Sequence, residues 1–149
     1  MDKIRYSDVI RSTNRILQSA YPNITRYGND TVDKAVPPYF FVECIPTSIR
    51  RQTRNMRHKG CTVMITYVQR IPDQVDNLEK VENIADTFGM NMEINNRNLL
   101  VLDYDHEYIG EQNNILQISF ALDWWEDTHQ ESTEEIMEQL HTNVVAKGD

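Results

Sequence analysis

The sequence predicts an α+β domain, with a mostly antiparallel β-sheet flanked by helices. Two observations lead to this prediction. Segments with strand-like apolar patterns follow one another in pairs joined by polar connections, which is typical of antiparallel hairpins. Segments with helical spacing separate the pairs, so the predicted order is helix, weak strand, hairpin, helix, hairpin, helix. The 149 residues suit one domain with one hydrophobic core.

The most regular segment is Ile115–Trp125, with the sequence ILQISFALDWW. Its large apolar residues occupy every second position: Leu116, Ile118, Phe120, Leu122 and Trp124. This period predicts a strand with one buried face and one face in water. Full burial of such side chains contributes roughly 1.5–3 kcal/mol each, so we expect this strand to be central.

Other segments are predicted to be strands because β-branched and aromatic residues are frequent in them. They are Asn23–Tyr27, Tyr39–Ser48, Cys61–Gln69, Asn98–Tyr108 and, more weakly, Met92–Ile94. The second and third of these are predicted to form a hairpin whose polar connection, Ile49–Gly60, projects. Asn98–Tyr108 is predicted to pair with the central strand through a turn at Gly110.

Three helices are predicted from apolar spacing and capping residues. The first runs from an N-cap at Ser7 to about Ala20, with a buried stripe of Val9, Ile10, Thr13, Ile16, Leu17 and Ala20. The second lies between the N-cap Asp73 and the stop Gly89, with a buried stripe of Val75, Leu78, Val81, Ala85 and Phe88. The third, Ser132–Val144, is acidic and carries few apolar residues.

The two halves of the chain carry opposite charge. Residues 1–72 contain 12 Lys or Arg against 5 Asp or Glu, a balance of +7, and residues 73–149 contain 3 against 18, a balance of −15. This asymmetry predicts a basic partner for one half or copies of the chain that meet head to tail. The alternative is that both sets of charges are simply solvated.

No apolar run reaches the roughly 20 residues that a membrane helix needs. The N-terminus lacks the apolar core of a signal peptide, which predicts a cytoplasmic product. Cys44 and Cys61 lie in strand-like segments and are predicted to be buried free thiols, without a disulfide or a zinc site.

The strongest candidate for a metal or catalytic cluster is the group Asp103, Asp105, His106 and Glu107. On a strand these carboxylates would share one face and could hold Mg²⁺ or Ca²⁺. The alternative is that they form the wet face of a strand whose other face carries Leu100 and Leu102. The sequence has no glycine-rich phosphate loop and no nucleophile elbow. We therefore predict no enzyme, with no catalytic, cofactor-binding or metal-binding residues.

The connection Ile49–Gly60 is strongly basic and has no acidic residue. Its cations are Arg50, Arg51, Arg54, Arg57 and Lys59. They could neutralise nucleic-acid phosphates, but the connection has no aromatic residue that would stack on bases. A protein-docking loop is the interpretation that we favour.

Five segments, taken in order, carry a resemblance to a known family. They are IRYSDVIRSTNRILQSAYPNITRYGN, VPPYFFVECIPTSIRRQ, CTVMITYV, LEKVENIADTFG and LQISFALDWW. Together they resemble the phage tail terminator family of Gram-positive phages and prophages. The resemblance spans roughly Ile4 to Trp125 and consists of hydrophobic anchors in a fixed order. It implies a tail-terminator-like domain over residues 1–125, with residues 126–149 as an acidic C-terminal helical extension of it.

The resemblance also implies a function, that of a structural virion protein without an active site. Family members form rings, typically hexameric, that cap the head-proximal end of the tail tube. The ring stops tube growth and joins the tail to the neck or head. The implied partners are other copies of the chain, the tail tube protein, the sheath protein in contractile tails, and neck or head-completion proteins. The resemblance further implies that no membrane is involved, that DNA is only cargo in the lumen, and that assembly takes place in the bacterial cytoplasm.

We expect the basic hairpin to dock on an acidic surface of the tube or sheath protein. Two rival hypotheses come from other classes of protein. One is a neck or connector protein that contacts DNA through the same cations. The other is a metal-dependent enzyme that uses Asp103, Asp105 and Glu107.

Overall fold

The computed structural model describes residues 3–28 and 34–128. The helices and strands of these residues are α1 (Tyr6–Ala20), β1 (Thr25–Tyr27), β2 (Tyr39–Arg51), β3 (Met56–Val68), α2 (Gln74–Phe88), β4 (Asn91–Ile94), β5 (Arg97–Ile109) and β6 (Ile115–Asp127). The strands form one mixed sheet, curled into a half-barrel, in the order β1-β2-β3-β6-β5-β4. Of the paired strands in this sheet, β1 and β2 run parallel and all other described pairs run antiparallel. The α+β prediction is confirmed. The predicted helix Ser132–Val144 lies outside the described residues.

β6 is the central strand, as predicted. It pairs with β3 on one side and β5 on the other. The alternating residues are all at most 3% exposed: Leu116, Ile118, Phe120, Leu122 and Trp124. The residues of β6 between them point to the opposite face and are half-buried or exposed. The period of two therefore separates a core face from an outer face.

Both helices cover the same face of the sheet. The ring of Phe88 in α2 lies 5.0 Å from that of Phe120, and the ring of Tyr21 after α1 lies 5.4 Å from that of Phe40. Phe40 and Phe120 lie on the same face of the sheet. Phe40 pairs with Tyr67 of β3, and Tyr67 pairs with Leu116 of β6, which shares its face with Phe120. The core therefore lies between this sheet face and the two helices.

The start of α1 differs from the prediction. The N-cap is Arg5, not Ser7, and the helix begins at Tyr6. The backbone N–H of Arg5 donates to the Asp8 carboxylate at 2.9 Å. Asp8 also places a negative charge in the first turn, where the free N–H groups favour it. An acidic side chain inside the helix thus fixes the start that a serine was expected to fix.

The β2–β3 hairpin is longer than predicted. β2 continues to Arg51 and β3 begins at Met56, so only residues 52–55 connect them. The ladder includes the pairs Arg50–His58 and Arg51–Arg57. Most of the predicted connection Ile49–Gly60 is therefore strand. Its polar composition concealed the strands, because a hairpin end that leaves the core carries no apolar alternation.

α2 has the predicted ends. The Asp73 carboxylate accepts a hydrogen bond from the N–H of Val75 at 3.0 Å, as an N-cap does. Gly89 follows the last turn with a φ of 64°, which a residue with a Cβ adopts only with strain.

The buried face of α2 is only partly the predicted one, since Phe88 is buried as predicted but other residues of the stripe are not. Val75 and Leu78 are 64% and 50% exposed, although both were assigned to the buried stripe. Asn77 and Lys80 are buried in their place. The Lys80 ammonium donates to the Asp76 carboxylate at 2.9 Å and lies over the rings of two core tyrosines. Pairing with a carboxylate and aromatic rings compensates the buried cation.

The remaining predicted features are partly confirmed. The weak strand Met92–Ile94 is part of β4, which pairs with β5 through a two-residue turn. Both turn residues, Asn95 and Asn96, have positive φ, as in the tight turns that suit hairpins. Both cysteines are free; Cys61 is buried, and Cys44 is only half-buried.

Replacing Phe120 by alanine should lower the free energy of unfolding by roughly 3–5 kcal/mol, because it removes a fully buried aromatic ring. The control is Gln117→Ala, which removes one hydrogen bond, from Gln117 Nε2 to Thr66 Oγ1 at 3.2 Å, on the outer face. It should cost about 1 kcal/mol or less. Chemical denaturation of both variants measures the difference. Equal, small losses would show that the two faces of β6 are assigned wrongly.

Candidate docking surface

The basic residues of the hairpin form two groups. Arg50, Arg51 and Arg54 are exposed, and none of them has an ion-pair partner among the described residues. Arg57 and Lys59 instead lie on the core side of β3, and Lys59 is only 6% exposed. The five cations therefore do not form one surface.

Glu126, near the end of β6, binds the second group of cations. The Arg57 Nε donates to Glu126 Oε1 at 2.6 Å. The Lys59 Nζ lies 3.6 Å from the same oxygen and donates to the carbonyl of Ile4 at 3.1 Å. Glu126 Oε2 accepts the N–H groups of Ile4 and of the Trp124 indole, each at 3.4 Å. Arg57 and Lys59 thus have partners within the protein.

The start of α1 holds the same region in place. The hydroxyl of Tyr6 donates to the carbonyls of Ser48 and Gly60, at 3.1 and 3.2 Å. The Lys59 Nζ lies 4.5 Å from the centre of the Tyr6 ring, within reach of a cation–π interaction. The hairpin is therefore fixed to α1 where it leaves the core.

The last described residue fixes the tip itself. Thr128 donates from its N–H to the carbonyl of Asn55 at 2.9 Å and from its hydroxyl to the carbonyl of Arg54 at 2.7 Å. Both carbonyls belong to the turn between β2 and β3. The turn is thus tied to the end of β6, and its exposed arginines extend from an ordered backbone.

Two opposing effects set the pKa of Glu126. Burial raises the pKa because the charged form loses water, whereas the hydrogen bond from Arg57 and the charge of Lys59 lower it. The attractive interactions prevail, and the pKa lies below its ordinary value. The cluster therefore stabilises the fold fully above the ordinary pKa of a glutamate, about 4.3, and this stabilisation is lost as pH falls through the lower, folded value.

The predicted metal cluster does not form a line of carboxylates. The register of β5 shifts between Leu102 and Asp105, and Asp103 has a φ of 55°. Such a bulge inserts a residue and shifts the alternation, so Leu102 and Asp105 both pair on the outer face. No group of three or more His, Cys, Asp or Glu that could hold a metal ion occurs in residues 3–28 and 34–128.

A second exposed surface was missed by the sequence analysis. Ile71, three residues before α2, is 78% exposed, and Val75 and Leu78, three residues apart on one face of α2, are 64% and 50% exposed. Their spacing resembles that of a core stripe, which is why periodicity alone assigned Val75 and Leu78 to the core. Exposed apolar residues in a row are typical of a protein contact.

Comparison with known proteins decides the family. A family model described as phage tail terminator protein matches residues 8–134. This chain belongs to the phage tail terminator family. The match includes the hairpin, α2 and β6, and it confirms the resemblance found in the sequence. The terminator thus has a structural role in a phage tail, is located in the virion or tail particle, and interacts with tail and head proteins.

Other comparisons add little to the identification of this terminator. No curated protein matches it. One solved structure has a TM-score of 0.44 and 12% identical residues, over 86% of this chain and 99% of that chain. At this TM-score the likeness supports no inference. Neither helix of the described residues is long and apolar enough to cross a membrane.

The variant Glu126→Gln should lower the free energy of unfolding by about 3 kcal/mol or more near pH 7, because it leaves Lys59 buried without a counter-charge. The difference between wild type and variant should shrink as the pH falls through the lowered pKa of Glu126, since the wild type then protonates this carboxylate. Urea denaturation at each pH measures both quantities.

Asp123→Asn is the matched control. The Asp123 carboxylate lies on the same strand, but its side chain is 51% exposed and its pair with His58 Nε2 is long, at 3.8 Å. Exposed pairs contribute about 1 kcal/mol or less, so this change should have little effect at any pH. A loss for Glu126→Gln that stays constant with pH would contradict the role assigned to its charge.

Proposed function

We propose that this protein assembles into a ring, of six copies as in related terminators, that caps the head-proximal end of a tail tube. The ring ends tube growth and joins the tail to the neck or head. The observation that carries this proposal is the family match over residues 8–134. The proposed role needs no active site, cofactor or metal, and we propose that the protein is not an enzyme.

The hairpin tip is the proposed docking element for an acidic protein surface. Its candidate residues are Arg50, Arg51 and Arg54, which are exposed, whereas Arg57 and Lys59 support the tip through Glu126. The hydrogen bonds from Tyr6 and Thr128 order the backbone before any partner binds. Such order reduces the entropy lost on binding.

The alternatives have less support. A connector that grips DNA would use the hairpin cations against phosphates, but two of the five are already paired with Glu126. A metal-dependent enzyme would use Asp103, Asp105 and Glu107, but the bulge in β5 separates the first from the other two. Neither alternative is favoured by a specific contact in the described residues.

Reversing Arg50, Arg51 and Arg54 to Glu should impair tail completion and leave the fold intact. Exposed substitutions shift stability by about 0.5 kcal/mol or less each, so the thermal midpoint should change little. Electron microscopy of a strain that carries only this variant should show tubes of uncontrolled length or tails without heads. Removing the whole protein should have the same effect.

Two results would contradict these expectations separately. Normal tails with the triple variant would exclude the hairpin as a docking element. Normal tails after loss of the whole protein would contradict the terminator function itself.

The charge asymmetry supports the ring proposal. A closed ring joins one patch of each copy to a different patch of the next copy. The first half of the sequence carries +7 and the second −15, so the chain can offer charges of opposite sign to its neighbours. Opposite charge guides association and rejects wrong partners.

Raising the salt concentration should therefore weaken assembly. At ionic strengths of 0.1–0.15 M, exposed charges are screened over about 8–10 Å, and higher salt shortens this range further. Light scattering at low and high salt measures the mass of the assembly. The same mass at both concentrations would show that charge does not select the contact between copies.

A further inference from the structure

We propose that the hairpin tip of one copy docks on the outer face of α2 in the next copy. The inference rests on the proposed ring and names the contact that builds it. Two patches take part. The hairpin patch consists of Ile49, Arg51 and Arg54, and the α2 patch consists of Ile71, Val75, Leu78, Glu79 and Glu82.

The α2 patch combines apolar and acidic side chains. Val75 and Leu78 are at least half exposed and lie on one face of α2, and Ile71, in the segment just before the helix, is 78% exposed. Glu79 and Glu82 are exposed one turn beyond Val75 and Leu78, and neither has an ion-pair partner in the part of the chain that the structure describes. A helix that turns aliphatic residues outward while it buries an asparagine and a lysine contradicts the usual pattern of a core helix. The contradiction disappears if another chain covers this face.

The hairpin patch has the complementary composition. Ile49 is 58% exposed, and Arg51 is two residues further along β2, so both side chains lie on one face. Arg54 is exposed in the turn that follows. Arg50 lies on the other face, because it pairs with His58 in the alternate row. One apolar side chain with two cations thus matches an apolar row with two carboxylates.

The two patches cannot meet within one chain. The hairpin turn lies beside the end of β6, where Met56 pairs with Asp127. α2 starts beside the other end of β6, where Tyr67 pairs with Leu116 and donates to Asp76 at 2.6 Å. The 13 residues of β6 extend about 3.3 Å each, so the two ends lie about 40 Å apart along the strand. Only a second copy can bring the patches together.

A contact between unlike patches has a consequence for assembly. Each copy keeps a free hairpin patch at one end and a free α2 patch at the other, so association continues until the chain of copies closes. Burial of the apolar row excludes water, and the opposite charges fix the orientation. A head-to-tail contact of this kind builds a ring where the rotation closes, and it differs from the self-complementary contact of a two-fold dimer.

The experiment uses two variants that each disable one patch. In the first, Arg51→Glu and Arg54→Glu reverse the hairpin cations. In the second, Val75→Ser and Leu78→Ser remove the apolar side chains of α2 without adding charge. Each variant alone should remain monomeric by multi-angle light scattering, where the wild type forms larger assemblies. An equal mixture should form a particle of two subunits, because one intact hairpin patch meets one intact α2 patch and no further copy can add.

The control Arg50→Glu changes the same charge on the opposite face of β2. It should assemble as the wild type does, since its side chain lies outside the hairpin patch. Circular dichroism and the thermal midpoint of every variant confirm that the altered side chains, all exposed, leave the fold intact.

The proposed contact would be overturned by variants that assemble like the wild type, by a mixture that stays monomeric, or by a wild-type chain that stays monomeric at its highest soluble concentration. These outcomes differ from failure of the terminator function, which is measured by tail length in the strain that lacks the protein. If the first variant assembles normally but gives defective tails, the hairpin contacts the tube protein and not the next copy.

Discussion

The alternation of side chains along β6 determines how both the core and the hairpin are held together. Five large apolar residues at every second position bury one face of the strand. The same period brings Glu126 to that face two residues after Trp124, and the carboxylate is only 1% exposed. A buried charge is tolerated only with partners, so Arg57, Lys59 and the backbone of Ile4 converge on it. One periodic pattern thus determines both the apolar core and the polar cluster that joins the hairpin to the N-terminal segment.

This cluster also shapes the surface on which the proposed function depends. Glu126 pairs with two of the five hairpin cations, so the exposed positive charge at the tip belongs to Arg50, Arg51 and Arg54. The acidic and apolar surface of α2 lies at the other end of the sheet. The protein therefore separates unlike surfaces along one strand direction, a distribution suited to repeated contacts between copies and with other tail proteins.

The features that could be predicted from the sequence are those that depend on neighbouring residues alone, such as strand periodicity and helix capping. The burial of β6 follows from its period, and the limits of α2 follow from Asp73 and Gly89, whose chemistry is nearly independent of the fold. The family was also predictable, because its apolar anchors lie in a fixed order. The burial of Lys80 in place of Leu78 was not, since it depends on a carboxylate and two aromatic rings that converge only in the folded chain. The division of the hairpin cations required the register between β3 and β6, which places Arg57 opposite Glu126.

The contacts of Ile4 and Thr128 place both ends of the described domain beside the hairpin. Ile4 binds the Glu126 cluster, and Thr128 binds the turn between β2 and β3. The opposite end of the sheet carries internal connections of the described residues, among them the β5–β6 turn. Any affinity tag or fluorescent fusion joined close to either boundary would consequently crowd the arginine-bearing side and leave the α2 side untouched. A label in the 110–114 turn would instead crowd the α2 side and leave the hairpin accessible. The attachment point therefore decides which half of the molecule a labelling experiment disturbs.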